Sequence, residues 1–318
     1  MITLNIDKES EGVRLDRFLR KKLRNAKLSF VYKCIREGIC TVNGKKQKQG
    51  YRLKKEDAIE IGIREEKYAE LSAEKPAIAI RAKKTFDVLY EDDDMLIVNK
   101  PPFLASQPGT GVERNNLVTQ VRTYLQHLTT KPTPANRLDR GTSGIVIIGK
   151  HRKAIMEFYK LFEDRNIEKY YLALVIGKLA KKGGTITSHL KRVTEKFQHK
   201  MLVRPQHEQD TVTAESSYRV LVQAEQYALV EVKIATGKMH QIRVQFAHLG
   251  HPLVGDSIYG NKETNGLFNK IIRRQFLHAY KIRFIHPFTK KMIDVEAPLP
   301  EDLKAILEKI EISLPQKK

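Results

Sequence analysis

The hydrophobic period of this chain switches from helical to alternating within its first 62 residues, and between Arg64 and Thr85 no period survives at all. That break divides the chain before any other property is considered. From Arg14 onward, Leu15, Phe18, Leu19 and Leu23 recur at helical spacing while Arg14, Arg17, Arg20, Lys21, Lys22 and Arg24 fill the other faces, which predicts a short amphipathic helix. A second helix is expected over "LSFVYKCIREG", with Ser29 as its cap, Val31 and Ile35 on one face, and Gly38 at a left-handed stop. "ICTVNGKKQ" then alternates and carries Asn-Gly, a hairpin signal, and "YRLKKEDAIEI" adds two short extended pieces around a polar turn. The segment "REEKYAELSAEKPAIAIRAKKT" reads as a linker. At 318 residues the chain exceeds one average domain. The expected division is a module of residues 1–62, a linker of 63–85 and a larger domain of 86–318.

Charge is concentrated in the module. Residues 11–55 hold 15 Lys and Arg against 3 Asp and Glu, a net +12 out of the chain's +21. Clustered cations can follow a phosphate backbone by neutralising it without reading bases, so the expected partner is nucleic acid. The residues assigned to that contact are Arg14, Arg17, Arg20, Lys21, Lys33, Arg36, Lys45 and Lys46. A membrane partner is not expected: "MITLNIDKESEG" has no apolar core, and "IVII" at 145–148 is far too short to span. The chain therefore reads as a soluble cytoplasmic protein. Its two cysteines, Cys34 and Cys40, form no C-x-x-C pair and are expected to be buried small side chains. "RLDRFL", "VYKCIREGICTVNGK" and "YRLKKEDAIEI" together resemble the S4 RNA-binding domain over residues 13–61.

The tetrapeptide Arg-Leu-Asp-Arg occurs twice, around Asp16 and around Asp139. Asp16 lies in the first helix, four residues before Arg20, and is expected to pair with it or to support the first turn. Asp139 stands in "NRLDRGTSGIVIIGK", where a Gly-bounded polar loop precedes a fully aliphatic strand. That places it at the mouth of a buried element, where it either does chemistry or pairs with Arg137 or Arg140 on a loop. Around this stretch the pattern predicts strands at 86–90 and 95–99, a helix over 115–128, a helix over "KAIMEFYKLFEDRNI" and a strand over "EKYYLALVIGK". On that strand Tyr170 and Tyr171 face opposite ways, one toward the core and one toward a cleft. The Asp92, Asp93, Asp94 run is expected to be a solvated turn. His240, His248, His251, His278 and His286 have no carboxylate or cysteine at ligand spacing, so no metal site is expected.

"YEDDDMLIVNKPP", "RLDRGTSG", "KYYLALVIGK", "IATGKMHQIRVQFAHLGHPLVGDSIYG" and "FLHAYKIRFIHP" follow the order and spacing of the RluA class of RNA pseudouridine synthases. The resemblance spans residue 86 to about residue 300 and is nearest to the members that modify large-subunit ribosomal RNA, the synthase C and D types. It departs at Asn136, where a histidine usually precedes Arg-Leu-Asp-Arg, and at Met239 and Gln245. It implies an α+β protein in which a small S4-like module precedes a central mixed, largely antiparallel sheet flanked by helices. It implies uridine isomerisation by base flipping, with Asp139, Tyr171 and Arg243 as catalytic residues and Arg243 paired to Asp139 through a fork of hydrogen bonds. Arg137, Arg140, Thr142, Lys100, His240 and Gln241 would bind substrate. The implied enzyme is a monomer with neither cofactor nor metal, and its RNA partner is ribosomal. The alternatives are the same reaction on transfer RNA, or a non-catalytic ribosome-assembly protein, which would carry a substituted aspartate where Asp139 stands.

Overall fold

The computed structural model describes all residues except 7–9, 74–81, 110–111, 113–114, 196–197, 207, 261–264, 267, 269 and 315–318. The chain separates into two compact units, residues 1–79 and 80–318.

In the first unit, β1 (Ile2–Asn5), β2 (Cys40–Val42) and β3 (Ala58–Ile61) form an antiparallel sheet in the order β1-β3-β2. Helices α1 (Leu15–Lys22) and α2 (Leu28–Glu37) supply Leu15, Phe18, Leu19, Val31 and Ile35 to a core shared with Ile59 and Ile61. Cys34 and Cys40 are buried in that core, and desolvation raises both thiols, Cys40 to about 12, so neither is a thiolate at neutral pH. Gly38 ends α2 at φ 77°, and Asn43 and Gly44 take φ 50° and 71° in the tight turn between Val42 and Lys45.

Three local expectations change. Ser29 falls inside α2, which starts at Leu28 with no side-chain cap. Asp16 accepts two bonds from Arg14, at 2.9 and 3.1 Å, and one from the Arg17 amide, so it supports the first turn while its ionic partner is Arg14 rather than Arg20. The stretch read as linker contains α3 (Glu65–Ser72). Only Leu71 of that helix is buried, too little for a periodic signal. Asn25, on the loop between α1 and α2, holds its end by donating to the carbonyls of Glu70 and Ala73, each at 3.0 Å.

The second unit is built on a sheet of eleven strands. Its elements are β4 (Asp87–Glu91), β5 (Met95–Lys100), α4 (Leu117–Tyr124), β6 (Thr133–Pro134), β7 (Ser143–Gly149), α5 (Arg152–Glu163) and β8 (Ile167–Ile176). There follow β9 (Gly183–Glu195), β10 (Gln198–Arg204), β11 (Thr211–Gln223), β12 (Tyr227–Ile234), α6 (Gln241–His248), β13 (Leu277–Ile285), β14 (Met292–Glu296) and a last helix, α7 (Glu301–Lys309). The strand order is β10-β9-β11-β12-β8-β13-β7-β5-β4, with β14 on β13 and β6 on β7. Every pairing is antiparallel except β7 with β13, where His278 stands beside Ser143, so the sheet is mixed and largely antiparallel as expected. Strand β7 is buried along its whole length. On one face Val146 and Ile148 pack with Val121 of α4 and Phe246 of α6; on the other, Ile145 and Ile147 meet Phe158 of α5. Leu303, Ile306 and Leu307 of α7 seal Leu174 and Leu229. Each such aliphatic side chain contributes about 1.5–3 kcal/mol by leaving water.

Two further features differ from the pattern in the sequence. The long ribbon of β9, β10 and β11 has many polar, partly exposed positions and therefore weak alternation. The acidic turn is only partly solvated: Asp93 is exposed, but Asp92 and Asp94 are partly buried, Asp92 accepts from the amides of Asp94 and Met95, and Asp94 meets His151 at 2.9 Å. The fold also brings Asp92 and Asp94 to His286, whose Nε2 faces Asp92 Oδ2 at 3.1 Å, so carboxylates do join a histidine there. The trio does not suit a metal. His286 Nδ1 accepts the amides of Phe288 and Thr289, which puts the ring proton on Nε2, where a ligand would need a lone pair. Among the described residues no helix is long and apolar enough to cross a membrane.

Candidate active site

The loop between β6 and β7 carries Asp139, and nearly every residue of that loop is tied down. Ser106 Oγ donates to the Leu138 carbonyl at 2.7 Å and accepts its amide at 3.1 Å. The Thr142 amide closes a turn onto the Asp139 carbonyl at 3.0 Å. Gln275 donates to Thr142 Oγ1 at 2.9 Å, and Arg274 donates to the Gly141 carbonyl at 3.1 Å while gripping Asp302 of α7 with two bonds at 2.7 and 2.8 Å. The Asn136 amide donates to the Ile145 carbonyl and accepts the Ile147 amide of β7. Gly144 fixes where the loop enters the strand: at φ 115°, a Cβ there would lie 2.2 Å from the Ala279 carbonyl oxygen. The aspartate is thus carried by an overdetermined backbone.

Arg243, on the first turn of α6, reaches Asp139 Oδ2 through Nη1 at 3.0 Å. The expected fork goes elsewhere. Nε and Nη2 of Arg243 bind Asp256 at 2.7 and 2.9 Å, and Asp256, fully buried, also accepts the amides of Ile258 and Tyr259. Burial alone would raise the Asp256 carboxyl, but these bonds hold it below the usual carboxylate range. Burial works against the guanidinium, yet its two carboxylates push it well above an ordinary arginine. Two carboxylates sharing one cation leave a net negative charge, so Asp139 is aimed by Arg243 without being fully neutralised. Asp256 was missed because "GDSIYG" reads as a loop. Its one signal was a lone acid in a glycine-punctuated stretch thirteen positions past Arg243.

His240 precedes α6 in a left-handed conformation, φ 54°, with its Nε2 3.7 Å from Asp139. Burial, against the pull of Asp139, lowers its imidazole below the histidine range and keeps it neutral. Tyr259 Oη accepts the Met201 amide at 2.8 Å and lies 3.0 Å from His240 Nδ1, so its own O–H can donate there with the ring proton on Nε2 toward Asp139. The Tyr259 ring also lies under Arg243, 5.3 Å from its guanidinium carbon. Strand β10 of the ribbon therefore braces the site from outside.

Tyr171 is buried at the cleft, while Tyr170 on the other face bonds Glu168 at 3.1 Å. Burial, and next the Asp139 charge, push the Tyr171 hydroxyl well above its ordinary range. It remains a phenol at neutral pH, a stacking plane and an O–H donor rather than a base.

Asp139, Tyr171, Arg243, Arg137, Thr142, His240 and Gln241 line one narrow cavity. Gln241 is spent on structure, accepting from Thr236 and the Lys238 amide and donating to Glu215 and Ser216. Lys100 and Arg140 are not part of the lining. The Lys100 ammonium, lowered to about 7 by burial and then Arg274, bonds the carbonyls of Pro101 and Leu104 at 2.9 Å and that of Arg140 at 3.4 Å; Arg140 itself donates to Phe103. Both shape the loop. In the first unit, Arg17, Arg20, Lys21, Lys33, Arg36, Lys45 and Lys46 are exposed, and Arg14 is partly buried against Asp16.

Residues 94–248 match the family described as RNA pseudouridylate synthase, and residues 13–59 match the S4 domain. The fold and these matches define an RNA-modifying isomerase. The chain is 30% identical to ribosomal large subunit pseudouridine synthase C of Vibrio cholerae over 312 residues, 96% of each chain. It is 31% identical to the protein of that name from Escherichia coli, covering 96% of this chain and 95% of the relative. An uncharacterized RNA pseudouridine synthase of Bacillus subtilis is 37% identical over 222 residues, 69% of this chain and 70% of that one. The chain belongs to the RluA family of RNA pseudouridine synthases, with an S4 domain at its N-terminal end. The solved structure of human RNA pseudouridylate synthase domain containing 4 shares the fold, with TM-score 0.59 and 20% identity over 72% of this chain and 94% of that one.

Proposed function

We propose that this enzyme isomerises uridine to pseudouridine in large-subunit ribosomal RNA. The observation that carries the choice of RNA is the similarity, over nearly the whole chain, to relatives named for the large ribosomal subunit. The local charge of +12 in residues 11–55 supports it, since a cationic module can hold a large folded RNA while a second unit does chemistry.

The reaction breaks the N1–C1′ bond, turns the uracil, and joins C5 to C1′; N1 gains a proton and C5 gives one up, with no change of oxidation state. Asp139 is the catalytic residue in this reading, attacking C1′ or removing the 2′ proton. Both routes need it ionised, desolvated and fixed in direction, and the single bond from Arg243, itself held by Asp256, supports the first and the last. Tyr171 offers a plane for the extracted base. The target base must leave its stack, at a cost of a few kcal/mol that phosphate contacts offset. Water has to be excluded, because an opened C1′ would otherwise be hydrolysed as in a glycosidase. Mapping pseudouridine in ribosomal RNA from cells with and without the gene tests the reading. Loss of one or more large-subunit sites is the expected result, and an unchanged map overturns it.

A further inference from the structure

Lys169 stands on β8 two residues before Tyr171, so both side chains leave the same face of the sheet, about 7 Å apart along the strand. It is 92% buried by its 8% exposure, and its ammonium lies 5.5 Å from the centre of the Phe162 ring. Among the described residues no carboxylate pairs with it. A neighbouring cation, Arg165, is engaged by Glu215 at 3.1 Å. Burial, and then the Arg165 charge, lower the Lys169 ammonium to about 8, so near neutral pH it still carries its proton. A buried cation without a counter-ion weakens a fold, and such groups concentrate where a ligand supplies the missing charge.

The surroundings match an anion. Lys169 lines a cavity of about 530 Å3 together with Arg137, Arg165 and Lys238, against one carboxylate in the lining, Glu163. That cavity shares Arg137, Tyr171 and Lys238 with the narrow one holding Asp139. The Phe162 ring gives the ammonium stem a fixed apolar wall.

We propose that Lys169 anchors a phosphate subsite, binding the RNA backbone phosphate adjacent to the uridine whose base rests on Tyr171. One nucleotide links the two positions: base on Tyr171, sugar beside Asp139, phosphate on Lys169. The assignment rests on RNA being the substrate and is indifferent to which RNA, because every RNA presents the same phosphate. It also gives Lys169 a role separate from the chemistry, as a positioning group for the backbone.

The test compares wild type, Lys169→Arg and Lys169→Met in binding a transcript of large-subunit ribosomal RNA across a salt series, with thermal unfolding of each protein measured in parallel. Lys169→Met should bind about tenfold more weakly at low salt. Its plot of log affinity against log salt should be shallower by about 0.7–0.9, one phosphate contact. Lys169→Arg should keep the wild-type slope. The Met variant should melt no lower than wild type, because it removes an uncompensated buried charge. An unchanged slope in Lys169→Met, or a lowered melting temperature with the slope intact, overturns the subsite and makes Lys169 a structural residue. Pseudouridine formation in the same transcript by wild type is scored separately, so a failure of the ribosomal reading leaves the slope comparison standing.

Discussion

Replacing Asp256 with Asn tests the arrangement that separates this site from a simple ion pair. The substitution keeps shape and removes charge from a side chain that is fully buried and that binds Nε and Nη2 of Arg243 at 2.7 and 2.9 Å. Arg243, itself only 4% exposed, would keep Asp139 as its one anionic partner. Breaking one side of a buried pair costs about 3–5 kcal/mol, since the remaining charge stays desolvated. For a unit the size of residues 80–318, each kcal/mol moves the melting temperature by about 2–4 °C, so a fall of about 6–20 °C is expected. A freed guanidinium would turn its fork onto Asp139 and neutralise it, lowering turnover on RNA at least tenfold, about 1.4 kcal/mol in the barrier. Differential scanning calorimetry gives the first quantity, and single-turnover pseudouridine formation with folded enzyme at 20 °C below its melting point gives the second. A melting temperature within about 2 °C of wild type together with turnover within about twofold would refute the idea that Asp256 aims Arg243.

Asp139→Asn should abolish isomerisation while leaving RNA affinity within about threefold, measured by product analysis and anisotropy; residual turnover above about one part in a thousand removes Asp139 from the chemistry. His278 is fully buried between Ser143 and the Ala297 carbonyl, and desolvation lowers its imidazole to about 4. Between pH 6.5 and 4 the unfolded chain takes a proton there and the folded one does not, so stability falls as pH falls through that window, by up to about 3 kcal/mol, and His278→Gln should lose that slope in pH-dependent denaturant melts. Gly144→Ala should unfold the second unit or leave it insoluble, because its Cβ meets the Ala279 carbonyl oxygen at 2.2 Å with φ at 115°; a soluble variant of wild-type melting temperature contradicts that geometry.

Local chemistry announces itself in a sequence, and most of what was legible here was local. The helical spacing of Leu15, Phe18, Leu19 and Leu23, the left-handed Gly38, the Asn43-Gly44 turn and the aliphatic strand at 145–148 each follow from one or two turns of chain, and each is found in the structure. The Gly-bounded polar loop before an aliphatic run placed Asp139 at the mouth of a buried strand, where the structure has it. The cationic module was a matter of counting charges.

Tertiary structure decided what depends on distant partners. The helix within the supposed linker, α3, is held by Asn25, some 45 residues away in sequence, through carbonyls that no local pattern marks. Asp16 chose Arg14 over Arg20 because the chain enters α1 extended and swings the earlier arginine across the helix start. Lys100 looked like a substrate contact and became a clamp on three carbonyls, since the loop after β5 folds back over it. Above all, Asp256 and Lys169 could not be ranked among the chain's 37 acids and 58 basic residues until the fold buried one against Arg243 and left the other, among the described residues, with no carboxylate paired to it. A sequence fixes which charges exist and which stretches can be helix or strand. Only burial decides which charges water no longer screens, and those are the ones that can do chemistry.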